Sequence, residues 1–110
     1  MEKTASGMDE NVAGALTYAL GWITGVVFLV TEPANKFVRF HAWQSLFLFG
    51  GLSAAWFIAI AVLPLLGVLI AWLIILPVSV VLWLWLMFKA YQGERYKIPY
   101  AGEMAEQRNH

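Results

Sequence analysis

Cysteine is missing from this chain and charge is scarce. With no cysteine among its 110 residues, it can form no disulfide, thiolate metal site or cysteine nucleophile. Charged residues make up 13% of the sequence, against roughly 25% in soluble domains, and seven cations balance seven acids. That balance lacks the basic excess of a nucleic-acid binder, so no nucleic-acid partner is expected. Histidine is nearly absent too: His41 and the terminal His110 offer no paired ligand spacing, and no metal is expected. Asp9, the only aspartate, is expected across the membrane from His41, which excludes a triad of Ser45, His41 and Asp9. No glycine-rich phosphate loop with its lysine occurs either. These absences predict a protein that is not an enzyme and carries no cofactor.

What the sequence has instead is apolar surface. Hydrophobic residues are 61% of the chain, more than a soluble globule of this size can hide, which makes residues 1–110 a single transmembrane domain. No charge occurs between Glu10 and Glu32, and none between Arg39 and Lys89. The first gap, residues 11–31, suits one helix crossing the roughly 30 Å hydrocarbon core at about 1.5 Å per residue. The second, residues 40–88, suits two spans with a turn at Pro64-Leu65-Leu66-Gly67. The spacing predicts an all-α, polytopic helical integral membrane protein with three transmembrane helices, at about 11–31, 36–63 and 67–92. Pro77 removes one backbone hydrogen bond and should kink the third helix near Leu73. Alternatively, Pro77 divides that segment into a short re-entrant piece and a separate helix. An acidic N-terminus (Glu2, Asp9, Glu10) and the length of the first run argue against a cleaved signal peptide.

Lysine and arginine near the helix ends set the orientation. The first loop holds Lys36 and Arg39, and the C-terminal flank holds Lys89, Arg95 and Lys97, whereas the N-terminus holds only Lys3. The positive-inside rule then puts loop and tail in the cytoplasm and the N-terminus outside, in a multi-pass protein of the cell (inner) membrane. Lys36, Arg39, Lys89, Tyr91, Arg95 and Lys97 are the candidate headgroup and interface residues, with Arg39 able to lie on the indole of Trp43. Trp43, Trp83, Trp85 and Tyr91 fit an inner aromatic belt and Trp56 and Trp72 an outer one; Trp22 falls between them. Gly93 is a candidate cap for the third helix, and the tail, residues 93–110, lies on the cytoplasmic interface.

Two helix faces stand out. Gly14, Thr17, Gly21 and Gly25 share one stripe of the first helix with Tyr18 and Thr24, a small-residue surface that lets another helix approach closely. That partner is either the chain's own second and third helices or another protein. On the second helix, His41, Gln44 and Ser45 share a face near the inner end. They read as interhelical hydrogen bonds or as a small polar vestibule for a substrate or partner.

The run VAGALTYALGWITGVVFLV, then NKFVRFHAWQSLFLFG and LMFKAYQGERYKIPYAGEMAE, resembles small prokaryotic membrane proteins of the Tic-twenty-like family. The blocks FVRFHAxQS and KAYQGExxKxP carry the likeness through Phe37, Arg39, Phe40, His41, Gln44 and Ser45, then Lys89, Tyr91, Gln92, Gly93 and Pro99. The resemblance implies kinship with a helical subunit of a chloroplast protein-import machine, and hence a link to protein transport. Two functions remain in view. One is a helical scaffold or subunit packing with itself or another membrane protein, its partners being lipids and membrane helices. The other is an oligomeric channel or carrier for small solutes, with His41, Gln44 and Ser45 at its inner mouth.

Overall fold

The computed structural model describes Thr4, residues 7–32 and residues 34–108. Glu2, Lys3 and His110, which entered the charge and metal arguments, lie outside the described residues. The described chain is helical: α1 (Glu10–Leu16), α2 (Trp22–Thr31), α3 (Lys36–Val62), α4 (Pro64–Ile70), a π turn (Ala71–Ile75), α5 (Leu76–Tyr91) and α6 (Ala101–Arg108). Two helical stretches, Lys36–Val62 and Pro64–Tyr91, are long and apolar enough to cross a membrane. At 27 and 28 residues they measure about 40 Å, longer than a hydrocarbon core of roughly 30 Å.

Asn35 starts α3, its side-chain oxygen accepting the Val38 N–H at 3.0 Å, which satisfies one of the orphan donors at a helix start. The reversal between the long helices falls at Leu63 (φ −126°, ψ 77°), one residue before the expected turn. The reason is Pro64: at the first position of a helix its missing N–H is no loss, so it begins α4 instead of sitting in the turn. Gly67 then lies directly on the Ala59 carbonyl, and a Cβ there would overlap it. Further on, the disturbance expected near Leu73 takes the form of the π turn. Pro77 follows within two residues, offering no N–H to the i−4 carbonyl, and the wider turn accommodates its ring without ending the helix.

The first expected span differs most. Residues 11–31 are not one helix: α1 stops at Leu16, a turn runs through Thr17–Gly21, and α2 starts at Trp22. Gly21 has φ +64° and ψ −135°, a conformation open to glycine and strained for other residues. The turn sends the chain back toward its start. Asn35 Nδ2 donates to Glu10 Oε2 at 3.1 Å, and Asn11 Nδ2 donates to the Tyr91 carbonyl at 2.9 Å. The beginnings of α1 and α3 and the end of α5 therefore meet at one end of the molecule, and the α1–α2 hairpin leaves that end and returns to it. A charge-free run reports apolar surroundings, not direction of travel, so hydropathy cannot separate a crossing from a fold-back of this length.

The tail also returns. Gly93 (φ +83°) caps α5 as expected: its N–H reaches the Ala90 carbonyl at 2.9 Å, and the Glu94 N–H reaches that of Lys89 at 3.0 Å. These are the paired bonds of a Schellman motif. The chain past it lies along α3, and α6 packs on the same helix beside Gln44, where a Cβ on Gly102 would be 2.7 Å from Gln44 Oε1.

Gly67→Ala should lower the unfolding temperature of the detergent-purified protein, by about 1–3 kcal/mol of overpacking. Gly51→Ala, on the same long hairpin with nothing within 4 Å of its Cβ position, should be neutral or raise stability by about 0.5–1 kcal/mol. Equal effects would show that Gly67 is not a packing contact.

Candidate functional site

His41, Gln44 and Ser45 come together at the centre of the molecule, all with no exposed surface, and Tyr18 from the α1–α2 turn joins them. Their partners are specific. His41 Nε2 meets the Glu94 carbonyl at 2.9 Å; a carbonyl only accepts, so that nitrogen carries the proton. Nδ1 of the neutral ring is then an acceptor and takes the Tyr18 hydroxyl proton at 2.7 Å. The same hydroxyl oxygen accepts from Gln44 Nε2 at 2.9 Å. Gln44 donates its second N–H to the Tyr96 carbonyl at 2.8 Å, and its oxygen accepts the Ile98 N–H at 2.8 Å. Every donor of the Tyr18, His41 and Gln44 side chains has an acceptor, and the network joins the hairpin, α3 and the tail. Phe37, Phe40 and Tyr18 set their ring edges or faces around the imidazole at 4.7, 5.2 and 5.5 Å between centroids.

A second set of hydroxyls serves the backbone of the turn. Ser45 Oγ donates to the Gly21 carbonyl at 2.7 Å, and Thr17 Oγ1 to that of Gly14 at 2.6 Å. Thr24 Oγ1 accepts the Leu20 N–H at 3.1 Å and donates to the Thr17 carbonyl at 2.9 Å. Away from water, a turn survives only with such internal partners. Gly14, Thr17, Gly21 and Gly25 thus meet α3 from two short helices and their turn instead of from one stripe. A Cβ on Gly14 would lie 2.7 Å from the Phe37 ring, and one on Gly25 2.8 Å from the Ala42 carbonyl.

The cations divide. Lys89 pairs with Glu94 at 3.1 Å and lies over the Trp85 ring at 4.7 Å, and Lys97 pairs with Glu106. Arg95 is exposed and sits 5.8 Å from the Phe40 ring. Trp43, expected under Arg39, instead stacks on Phe47 at 5.5 Å. Lys36 and Tyr91 are exposed and Arg39 is half-buried, all at the end where α1, α3 and α5 meet.

Sequence reasoning missed two parts of this centre. Tyr18 had a signal, since a tyrosine hydroxyl inside a membrane helix needs a partner. The tail carbonyls and the Ile98 N–H had none, because backbone groups look alike in any sequence. Among the described residues, no three His, Cys, Asp or Glu side chains gather as metal ligands.

A pair of long apolar helices closed by a buried polar network, with apolar residues facing outward, defines an all-helical membrane protein. Relatives agree. A UPF0132 membrane protein of Methanocaldococcus jannaschii is 47% identical over 109 residues, covering 97% of this chain and 94% of its own length. One from Archaeoglobus fulgidus is 46% identical over 102 residues, covering 91% and 95%. The chain belongs to the MamF/MmsF family, described as the magnetosome magnetite crystal formation protein family, which it matches over residues 5–105. No solved structure matches.

This membership corrects the Tic-twenty-like resemblance, and the link to protein transport drawn from it falls away. The blocks that carried the likeness have a packing explanation. FVRFHAxQS supplies His41, Gln44 and Ser45, and KAYQGExxKxP supplies the Gly93 cap and the tail backbone they hold.

Gln44→Leu strands the Tyr96 carbonyl and the Ile98 N–H, at about 1–3 kcal/mol for the buried groups. It should release the tail, read as faster tryptic cleavage after Arg95 and Lys97 while α3 stays helical. Unchanged cleavage would mean that the tail is held by other contacts.

Proposed function

We propose that the chain is a non-catalytic membrane scaffold subunit that spans the bilayer twice and dips into it once. In this reading α3 and Pro64–Tyr91 cross the bilayer, α1–α2 is a re-entrant hairpin, and both termini face the cytoplasm. The observation that carries it is the distribution of charge over the fold. Glu10, Lys36, Arg39, Lys89 and Glu94 gather at the end where α1, α3 and α5 meet, and no charged residue lies between Arg39 and Lys89, so the opposite end is the apolar turn at Leu63 and Pro64. This arrangement keeps Lys36 and Arg39 and the tail's Lys89, Arg95 and Lys97 on the cytoplasmic side, as the positive-inside rule requires.

The scaffold role is supported by how the polar groups are spent. Tyr18, His41, Gln44 and Ser45 bind one another and the chain's own backbone, so none of them faces an opening through which a solute could pass. What remains outward is apolar: Val30, Phe57, Val62, Leu65 and Leu73 are among the most exposed side chains. Such faces suit lipids and other membrane helices, a second copy included. The proposal draws on the membrane frame of the family and not on the mineral chemistry in its description, since no ligand cluster is seen among the described residues.

Single cysteines replacing Gly7, Ala34 and Gln107, all exposed in this cysteine-free chain, should react with an impermeant maleimide from the same side of sealed vesicles, and one replacing Leu65 from the other. Reaction of the Gly7 site with the Leu65 site would restore three spans. Crosslinking in native membranes from Phe57 or Leu73 should trap a defined neighbour; a bare monomer at both positions would defeat the scaffold role.

A further inference from the structure

Beyond the tip of the hairpin, α3 and α5 are not filled in. A cavity of about 400 Å³ opens there, with Leu20 and Trp22 of the hairpin tip as its floor and Ser53 and Trp56 of α3 and Leu76 and Ser79 of α5 as walls. From the geometry we infer that this cleft is a binding site for one hydrocarbon chain of a membrane lipid. The inference rests on the reading that α3 and Pro64–Tyr91 span the bilayer, which puts residues 49–57 near the middle of the hydrocarbon layer.

Three observations converge on that occupant. No charged residue lines the cleft, and two of its polar groups are engaged: Ser79 Oγ donates to the Ile75 carbonyl at 2.7 Å, and the Gly21 carbonyl is taken by Ser45. The other polar groups of its lining, the Ser53 hydroxyl and the Trp22 and Trp56 indole N–H, carry no charge with which to hold an ionic headgroup. The size is wrong for a helix, whose diameter with side chains is about 10–12 Å, but right for a flexible chain of methylenes. The cleft is open to its surroundings, and within the hydrocarbon layer there is no water to fill it.

The fold gives the site a direction. On the side of the charged end the hairpin already occupies the space between α3 and α5, Gly21 resting 3.6 Å from Phe49 Cβ by its Cβ position. A chain therefore enters from the opposite leaflet and ends on the hairpin tip, beside Trp22. The π turn at Ala71–Ile75 contributes Ile75 to the wall, so the irregular turn before Pro77 shapes the cleft as well as relieving the proline. This also accounts for Trp22, which fits neither aromatic belt: it lines an apolar site at the depth where the hairpin turns back.

Native mass spectrometry of the full-length protein in mild detergent tests the site, with dioleoylphosphatidylcholine as the probe. The wild type should retain a single phospholipid per chain and unfold at a higher temperature with lipid than without. Oleyl alcohol should displace it and glycerophosphocholine should not. Ser53→Leu fills the cleft from α3 and Leu20→Trp fills it from the hairpin. Each should retain no lipid, lose the lipid-dependent rise, and keep the helical circular dichroism; if one fails to fold, the other decides. Equal retention by wild type and both folded variants would overturn the site, as would displacement by glycerophosphocholine. A wild-type dimer carrying no lipid would overturn it in favour of a second copy. Retention in detergent does not depend on which face the termini occupy, so this result and the cysteine accessibilities stand or fall separately.

Discussion

The absence of water inside a bilayer governs nearly every local feature of this molecule. A backbone that turns within hydrocarbon must find all of its hydrogen-bond partners in the protein. The turn at Thr17–Gly21 does so with three hydroxyls, from Thr17, Thr24 and Ser45, each spent on a carbonyl or N–H of the turn or its flanks. The returning tail does so with two side chains of α3. His41 takes the Glu94 carbonyl, and Gln44 takes the Tyr96 carbonyl and the Ile98 N–H together. Residues that look like a polar pocket in sequence are the donors and acceptors that let irregular backbone lie against a spanning helix.

One tyrosine makes the two irregular segments interdependent. The Tyr18 hydroxyl accepts from Gln44 and donates to His41, so the group that orients the hairpin also sets the tautomer that binds the tail. Hairpin, α3 and tail are joined in a single chain of directed hydrogen bonds, in which the loss of one member leaves several others unpaired. By contrast, the outer halves of the long helices rest on close contact alone: Gly67 on the Ala59 carbonyl, and Trp56 edge-on to Trp72 at 5.2 Å.

Much of this was readable beforehand, and the limits have physical causes. The two long helices follow from the charge-free run between Arg39 and Lys89, whose length and hydropathy suit two helices apolar enough to cross a membrane. The Gly93 cap and the defect before Pro77 follow from backbone chemistry that glycine and proline impose anywhere. His41, Gln44 and Ser45 were identified as one face because α3 is regular. The first segment reads as one helix where the structure has two, because the residues favouring close packing, Gly14, Thr17, Gly21 and Gly25, are also those that permit a reversal. Only the tertiary partners of Gly21 decide between the two. The tail's place against α3 was invisible since it is held through main-chain atoms.

The uncharged turn at Leu63 and Pro64 bears on how such a chain enters a membrane at all. A charged side chain at the centre of an inserting helix costs about 2.5–3.5 kcal/mol. In the proposed two-span topology the pair would enter as one hairpin led by Leu63 and Pro64, and residues 40–88 would carry no Asp, Glu, Lys or Arg through the hydrocarbon. In that topology the shorter α1–α2 hairpin and the tail would dock from the side on which they are made, and assembly would require no polar segment to be translocated.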